Sequence, residues 1–156
     1  MKKNMEDINR FTEKMKNYCA REERAKSDVI RKMDLLGLSN ENQQYILDIL
    51  LNENYLNEKR FSHSFCRGKF KTKNWGKRKI IYALKKKFIA ENYIEEGIQS
   101  ISEEEYLEVL DKLFNQKKRK TLDDNIFIRK KKIASFLIQR GFESSLVWEK
   151  MKELNN

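Results

Sequence analysis

One spacing of apolar residues occurs three times in this sequence, and it restricts the possible folds more than any other feature. With Gly37, Phe88 and Gly141 as origins, apolar residues stand at −8, −4, 0 or +1, +10 and +13 in each copy. These residues are Val29, Met33, Leu38, Leu47 and Leu50; Ile80, Leu84, Ile89, Ile98 and Ile101; and Ile133, Leu137, Phe142, Met151 and Leu154. The origins lie 51 and 53 residues apart. The pattern predicts a tandem repeat in which each unit holds a helix, a tight turn and a second helix.

The composition indicates that every unit is helical. The chain has no proline and five glycines, while the strong helix formers Lys, Glu and Leu are plentiful. Apolar residues predict a further helix in front of the second unit, over 58–70, and of the third, over 104–117. In the first unit we predict helices over 21–36 and 41–52, and Ser27 and Asp28 mark a place where the former can break. A front helix over 9–26 would complete that unit, but its apolar face is thin.

We therefore predict an all-α chain of three tandem three-helix, helix-turn-helix-like repeats in an elongated arrangement. Residues 1–17 are polar and weakly patterned, which is typical of a frayed lead-in helix. The repeats would cover 18–54, 55–102 and 103–156. Basic connections, at 71–76 and 119–125, would join the first and second helices of the second and third repeats.

The positive charge of the chain belongs to one segment. Lys and Arg number 34 against 24 Asp and Glu, giving a net charge of +10. Residues 59–90 hold twelve of the cations and no acid, so the rest of the chain is close to neutral. Such a concentration points to a polyanionic partner, which could be DNA, RNA, an acidic protein surface or an anionic membrane face.

The candidate contact residues surround one tryptophan in this segment. Trp75 could stack on a base or pack against the core, and its place before a glycine favours packing. Three cations would open the next helix, where they oppose the helix dipole while free N–H groups attract anions. The first set comprises Lys69, Lys71, Lys73, Trp75, Lys77, Arg78 and Lys79. A second set, in the third repeat, comprises Arg129, Lys130, Lys131 and Lys132, next to the basic run 117–120.

Catalysis is poorly supported by the residues. His63, the only histidine, shares a helix face with Cys66, but no third residue that would orient a dyad is evident. Cys19 and Cys66 form no metal-type pair, and we expect two reduced thiols in a cytoplasmic protein. No phosphate-binding loop, metal spacing, secretory leader or membrane-spanning run is present. We predict a protein with no enzymatic activity, metal or cofactor.

The middle repeat resembles a known bacterial family. It resembles the RecX family at three short motifs and at the residues that follow them. The motifs are Tyr55-Leu56-Asn57-Glu58, Arg60-Phe61 and Asn74-Trp75-Gly76-Lys77-Arg78-Lys79-Ile80, and they are followed by Leu84 and Phe88-Ile89. That family has a Tyr/Leu-acidic turn, an Arg-Phe-Ala-like helix, a Gly-basic entry and a closing Gly-Ile. Here Phe88 stands where Gly is usual, and Ser62 where Ala is common. The resemblance covers about residues 18–154.

The resemblance implies a curved monomer that binds in the groove of the filament formed by the RecA recombinase on single-stranded DNA. Such proteins restrain filament growth, ATP hydrolysis, strand exchange and co-protease activity, and so act in homologous recombination, DNA repair and the SOS response. By position, filament or DNA contact would fall on the first basic set, and less firmly on the second. The alternative from the residues alone is a stand-alone helical protein that binds DNA or RNA.

Overall fold

A computed structural model of the protein describes residues 5–154, and in that range every regular element is an α-helix. There are nine: α1 (Met5–Arg21), α2 (Lys26–Leu35), α3 (Asn40–Asn52), α4 (Glu58–Lys73), α5 (Lys77–Lys86), α6 (Glu91–Gln99), α7 (Glu103–Lys120), α8 (Ile126–Gln139) and α9 (Ser144–Met151). They form three successive groups of three, which we call units 1, 2 and 3. The predicted all-α fold of three-helix repeats is confirmed.

The repeated apolar positions form the interior of the units. Fourteen of the fifteen are buried, and Ile98 is half-buried. Each unit turns between its second and third helices through one residue with a left-handed backbone: Gly37 at φ 75°, Phe88 at φ 61° and Gly141 at φ 107°. The turn of unit 2 therefore has the same hand as the others, although a phenylalanine takes the place of the glycine.

Unit 1 is more complete than the sequence pattern suggested. Helix α1 runs unbroken across the predicted boundary between residues 17 and 18, and it buries Met15 and Cys19. The interpretation of residues 1–17 as a frayed lead-in is therefore wrong from Met5 onward, because α1 is the front helix of unit 1. Residues 1–4 and 155–156, at the outer edges of the predicted segments, lie outside the described range.

Two of the predicted connections are shorter than expected. Helix α4 continues to Lys73 and ends at Asn74, whose left-handed backbone (φ 55°) stops the helix. Helix α7 continues to Lys120. Lys71 and Lys73 thus lie on the last turn of a helix and not in a loop, where their positive charge complements the helix dipole. In unit 1 the break falls before Lys26, since residues 22–25 separate α1 from α2.

The core is divided unevenly among the units. Units 2 and 3 share one continuous hydrophobic cluster, whereas unit 1 has a cluster of its own around Met15, Met33 and Ile46. Ala25 is the one buried residue of unit 1 that belongs to the larger cluster. The joint between units 1 and 2 therefore differs physically from the joint between units 2 and 3.

Two glycines bring units 2 and 3 into backbone contact. The Gly76 N–H donates to the Arg140 carbonyl at 2.9 Å, and the Arg78 N–H donates to the Gly141 carbonyl at 3.0 Å. A Cβ atom on Gly76 would lie 2.2 Å from the backbone carbon of Gly141, so no larger residue fits without movement. Beside them Tyr106 packs between Phe70 and Phe142, with ring centroids 5.9 and 5.1 Å away.

Units 1 and 2 are joined by side-chain contacts instead of a backbone contact. Ala25 and Phe88 occupy the positions that correspond to Gly76 and Gly141. The Ser27 hydroxyl donates to the Lys87 carbonyl at 3.0 Å, and the Lys87 ammonium lies 2.7 Å from Asp28 Oδ1. Nearby, the Arg60 guanidinium binds both carboxylate oxygens of Glu23, at 2.6 and 2.7 Å. Polar side chains bridge this joint because the backbone segments at Ala25 and Phe88 cannot approach each other as closely as two glycines allow.

We predict that Gly76→Ala lowers the free energy of unfolding by about 1–3 kcal/mol, because the new methyl group must displace backbone atoms. Gly68→Ala is the matched control. Gly68 lies inside α4 with open space around its would-be Cβ, and alanine there should raise stability by roughly 0.5–1 kcal/mol. Urea denaturation of the two variants measures both effects. Equal effects of the two changes would contradict a contribution of the close Gly76–Gly141 contact to stability.

Candidate polyanion-binding surface

The tryptophan of the basic segment is contacted by two lysines. Trp75 is half-buried and packs edge-on against Phe65, with 6.5 Å between the ring centroids. The Lys69 ammonium lies 5.1 Å from the centroid of the Trp75 ring and the Lys79 ammonium 4.6 Å from it. The ring thus packs on the core and also stabilises two cations by cation–π attraction. We call Lys69, Trp75 and Lys79 the tryptophan cluster.

Three further cations of the first set lie near this cluster in sequence and have no ion pair among the described residues. Lys71, Lys73 and Arg78 are exposed, and none of them has a carboxylate within 4 Å among residues 5–154. They lie on the last turn of α4 and the first turn of α5, on either side of the short connection at 74–76. The structure therefore brings five of the six predicted cations of this set around one helix connection.

Lys77 is the exception, because it belongs to the joint between units 2 and 3. Its ammonium lies 4.4 Å from the centroid of the Tyr106 ring and 3.7 Å from Glu103 Oε2, and its side chain is 20% exposed. Its N–H donates to the Tyr106 hydroxyl at 3.0 Å, and that hydroxyl donates to Glu143. Burial and the adjacent Glu143 carboxylate raise the pKa of Tyr106, so the phenol keeps its proton.

The expectation that the start of α5 offers free N–H groups to an anion is wrong for Lys77 and Arg78. The N–H groups of Gly76, Lys77 and Arg78 are all donated to atoms of unit 3. A helix start attracts anions only while its first N–H groups are unsatisfied. The N–H groups of Lys77 and Arg78 are therefore not available to an anion, which leaves the side chains at this connection as the main cationic groups.

Two of the four cations in the second predicted set, 129–132, bind groups within unit 3. Arg129 donates to the carbonyls of Thr121 and Lys118, at 2.9 and 3.0 Å, and so caps the end of α7. Lys132 lies 3.3 Å from Asp123 Oδ2, and the pKa of Asp123 is lowered by hydrogen bonds from the Asn125 N–H and from Lys132. Lys130 and Lys131 have no ion pair among the described residues. Lys131 and Lys132 line an open groove of about 780 Å³.

Sequence reasoning missed the exposure of two aromatic residues on unit 2. The Tyr82 and Phe88 side chains are 61% and 83% exposed. The signal was present for Tyr82, since it stands one turn after Arg78 and outside the apolar stripe of Ile80 and Leu84. For Phe88 the signal was its place at the turn, where the other two units have a glycine and the neighbouring Ile89 fills the repeated apolar position.

The cysteine of the considered Cys/His dyad lies in the protein interior. Cys66 is fully buried, packed where α4 faces Gly97 of α6, and burial raises its pKa to about 11. A thiol with that pKa is protonated near neutral pH and is a poor nucleophile. Between residues 5 and 154, no cluster of His, Cys, Asp and Glu is placed to hold a metal ion. No helix in that range is both long enough and apolar enough to cross a bilayer.

Comparison with family models matches two of the units. The model of the RecX second three-helix domain matches residues 57–98, and the model of the RecX third three-helix domain matches residues 103–151. These ranges cover units 2 and 3 apart from Gln99 at the end of α6 and, together, make up more than half of the chain.

Individual relatives extend the similarity. The regulatory protein RecX of Clostridium botulinum (strain Eklund 17B / Type B) is 31% identical over 129 residues, which are 80% of this chain and 59% of that protein. The regulatory protein RecX of Prosthecochloris aestuarii is 26% identical over 137 residues, 88% of each chain. This chain therefore spans about three fifths of the length of the clostridial relative.

Solved structures share the fold. A crystal structure of regulatory protein RecX superposes with a TM-score of 0.84 at 24% identity, covering 94% of this chain and 73% of that one. The RecX structure from Lactobacillus salivarius superposes with a TM-score of 0.82 at 20% identity, covering 97% of this chain and all of that one. The fold and its cationic surface define a tandem three-helix repeat protein. Within that class, the chain belongs to the RecX family.

We predict opposite consequences for two neighbouring cations of α5. Lys77→Ala should lower the thermal midpoint, because it removes contacts with Tyr106 and Glu103. Arg78→Ala should leave the midpoint unchanged. It should instead reduce by about 1 the salt slope of binding to a single-stranded oligonucleotide, as expected when one phosphate contact is lost. Thermal melts and salt-dependent anisotropy titrations measure these effects. A destabilised Arg78→Ala protein would contradict the assignment.

We also predict that neither cysteine reacts while the protein is folded. Cys19 and Cys66 are buried, and burial raises the pKa of each thiol to about 11. At pH 8 a disulfide reagent such as Ellman's reagent should label both thiols only after denaturant is added. Rapid labelling of Cys66 in the native protein would restore the case for a reactive thiol.

Proposed function

We propose that this protein is a regulator that binds the RecA–single-stranded DNA filament and restrains its ATPase, recombinase and co-protease activities. Membership of the RecX family supports a regulatory role, since the relatives carry the name regulatory protein RecX. It would act through binding, without catalysis, as a monomer in the cytoplasm. Roles in homologous recombination, DNA repair and the SOS response belong to the same proposal.

The tryptophan cluster is the observation that carries this proposal. Two ammonium groups lie within about 5 Å of one ring centroid, and neither has a carboxylate within 4 Å among the described residues. Cations that lack a carboxylate partner in the chain remain available to an anionic ligand. Lys71, Lys73 and Arg78 extend the positive field around the cluster. A filament groove that offers DNA phosphates and acidic protein side chains suits this surface.

The alternative function is stand-alone binding of DNA or RNA. The helix-turn-helix-like units favour it, because a second helix in such a unit often enters the major groove of duplex DNA. In unit 2 the helix after the turn is α6, which would serve as that helix, but it carries three glutamates and no cation to meet DNA phosphates. A stand-alone binder should prefer particular duplex sequences and leave RecA unaffected, so the two proposals separate in one assay.

The decisive experiment measures ATP hydrolysis by RecA on single-stranded DNA while the protein is added. We expect inhibition at amounts near or below one protein per RecA. An unchanged rate over a wide range of concentrations rejects the proposal, and sequence-selective duplex binding in the same preparation would establish the alternative.

Reversal of the three unpartnered cations tests the surface itself. The Lys71→Glu, Lys73→Glu, Arg78→Glu variant should need at least about tenfold more protein for half-inhibition, which corresponds to ~1.4 kcal/mol. A matched control carries the same charge change on three exposed cations elsewhere: Lys14→Glu, Arg31→Glu and Lys112→Glu. Lys77 is left intact in both because it supports the fold. Equal losses in the two variants would show a general charge effect and reject this surface.

A further inference from the structure

Phe88 has a strained backbone, and its side chain gains no burial in the fold. Its backbone has a φ of 61°, in the left-handed region that strains a bulky residue. Its side chain is 83% exposed, so burial of the ring does not compensate for that strain. The corresponding residues of the other two units, Gly37 and Gly141, are glycines, which adopt this backbone without strain. A strained, exposed aromatic residue indicates that the ring serves a partner.

The turn that carries Phe88 is fixed on both sides. The Phe88 N–H donates to the Lys85 carbonyl at 3.0 Å, and the next residue, Ile89, is buried in the core. The carbonyl of the preceding residue, Lys87, accepts the Ser27 hydroxyl from unit 1. The ring is therefore presented from a rigid turn, which limits the entropy lost when a ligand orders it.

The exposed side of α5 next to this turn is aromatic and cationic. Tyr82 is 61% exposed, and the Lys86 ammonium lies 4.8 Å from the centroid of its ring. Lys85 is exposed one turn further along, and Arg78 is exposed one turn before. Helix α5 contains no acidic residue at all. Along this side, two aromatic rings thus alternate with cations that have no ion pair among the described residues.

We propose that this side of unit 2 is a stacking platform for single-stranded nucleic acid. Phe88 and Tyr82 would each stack on a base, while Arg78, Lys85 and Lys86 would neutralise the phosphates between them. Single-stranded nucleic acid is the ligand that combines repeated negative charge with flat aromatic faces. The inference rests on the proposed function in that both place nucleic acid on unit 2, but it adds a chain-specific residue and a mode of contact.

An acidic protein segment is the competing occupant, and the structure favours it less. Such a segment would match the lysines, but it has carboxylates and aliphatic side chains where the platform offers two separate rings. Protein partners bind best in contiguous apolar pockets with buried anchors. Here the aromatic side chains are separated by Lys85 and Lys86 and stand in solvent.

The test exploits the strain at Phe88. Phe88→Gly removes the ring and also relieves the backbone, so the thermal midpoint should stay equal or rise while affinity falls. Fluorescence anisotropy with labelled oligo(dT) and oligo(rU) should show dissociation constants raised by roughly five- to a hundredfold, the loss expected for one stacked base. Loss on either strand supports the platform, and the more tightly bound strand identifies the nucleic acid.

Three further variants make the result specific. Phe88→Asn introduces a side chain that tolerates the left-handed backbone but has no aromatic ring. It should lose affinity for the oligonucleotide as Phe88→Gly does. Phe88→Trp should retain affinity, and its added fluorescence should be quenched when the oligonucleotide binds. Tyr45→Ala removes a 45%-exposed aromatic side chain from unit 1 and should change nothing.

Several outcomes would overturn the inference. One is wild-type affinity of Phe88→Gly for both strands, and another is the absence of measurable binding by the wild-type chain at low salt. A third is weakened RecA inhibition by Phe88→Gly with unchanged oligonucleotide affinity, which would assign the ring to a protein contact. If the wild-type chain leaves RecA unaffected but Phe88→Gly loses oligonucleotide affinity, the platform stands and the proposed function fails.

Discussion

The backbone contact between Gly76 and Gly141 is the constraint on which the surface of unit 2 depends. It is possible because neither residue has a Cβ atom, and it lets unit 3 accept the first N–H groups of α5. Those groups would otherwise be unsatisfied donors at a buried helix end. The same contact directs Lys77 toward Tyr106 and leaves Arg78 exposed. The joint thus decides which cations of one helix turn remain available to a partner.

The two joints solve the same geometric problem with different chemistry. Where glycines are absent, between units 1 and 2, hydroxyl and charged side chains bridge the gap through Ser27, Asp28 and Lys87. The absence of glycine also changes the surface. Phe88 stands at the turn position of unit 2 where the other units have a glycine, and its ring is exposed. The polar joint and the proposed stacking platform therefore share one turn of the chain. The middle unit is consequently held by its neighbours on both sides while its outer face carries the charge.

The features that the sequence predicted correctly are those set by interactions between residues close together in the chain. The apolar period, the turn glycines and the absence of proline predicted the helical class, the three units and nearly every core position, because these features act within about one helical turn. Element ends were less predictable. Helix α4 extends to Lys73 through residues that look like a loop by composition, and α1 is a full helix because α3 and α2 supply the apolar partners that its thin face needs.

The sequence by itself determined that this chain is a helical repeat protein with its cations gathered in the middle unit, since composition and periodicity are properties of the chain. Only the tertiary structure decided which cations are committed and which are free. Lys77, Lys87 and Arg129 look like their neighbours in sequence, yet their partners Tyr106, Asp28 and Thr121 stand 8 to 59 residues away. Packing brings those partners within hydrogen-bond or cation–π distance, and this selection among like charges follows from three-dimensional proximity alone.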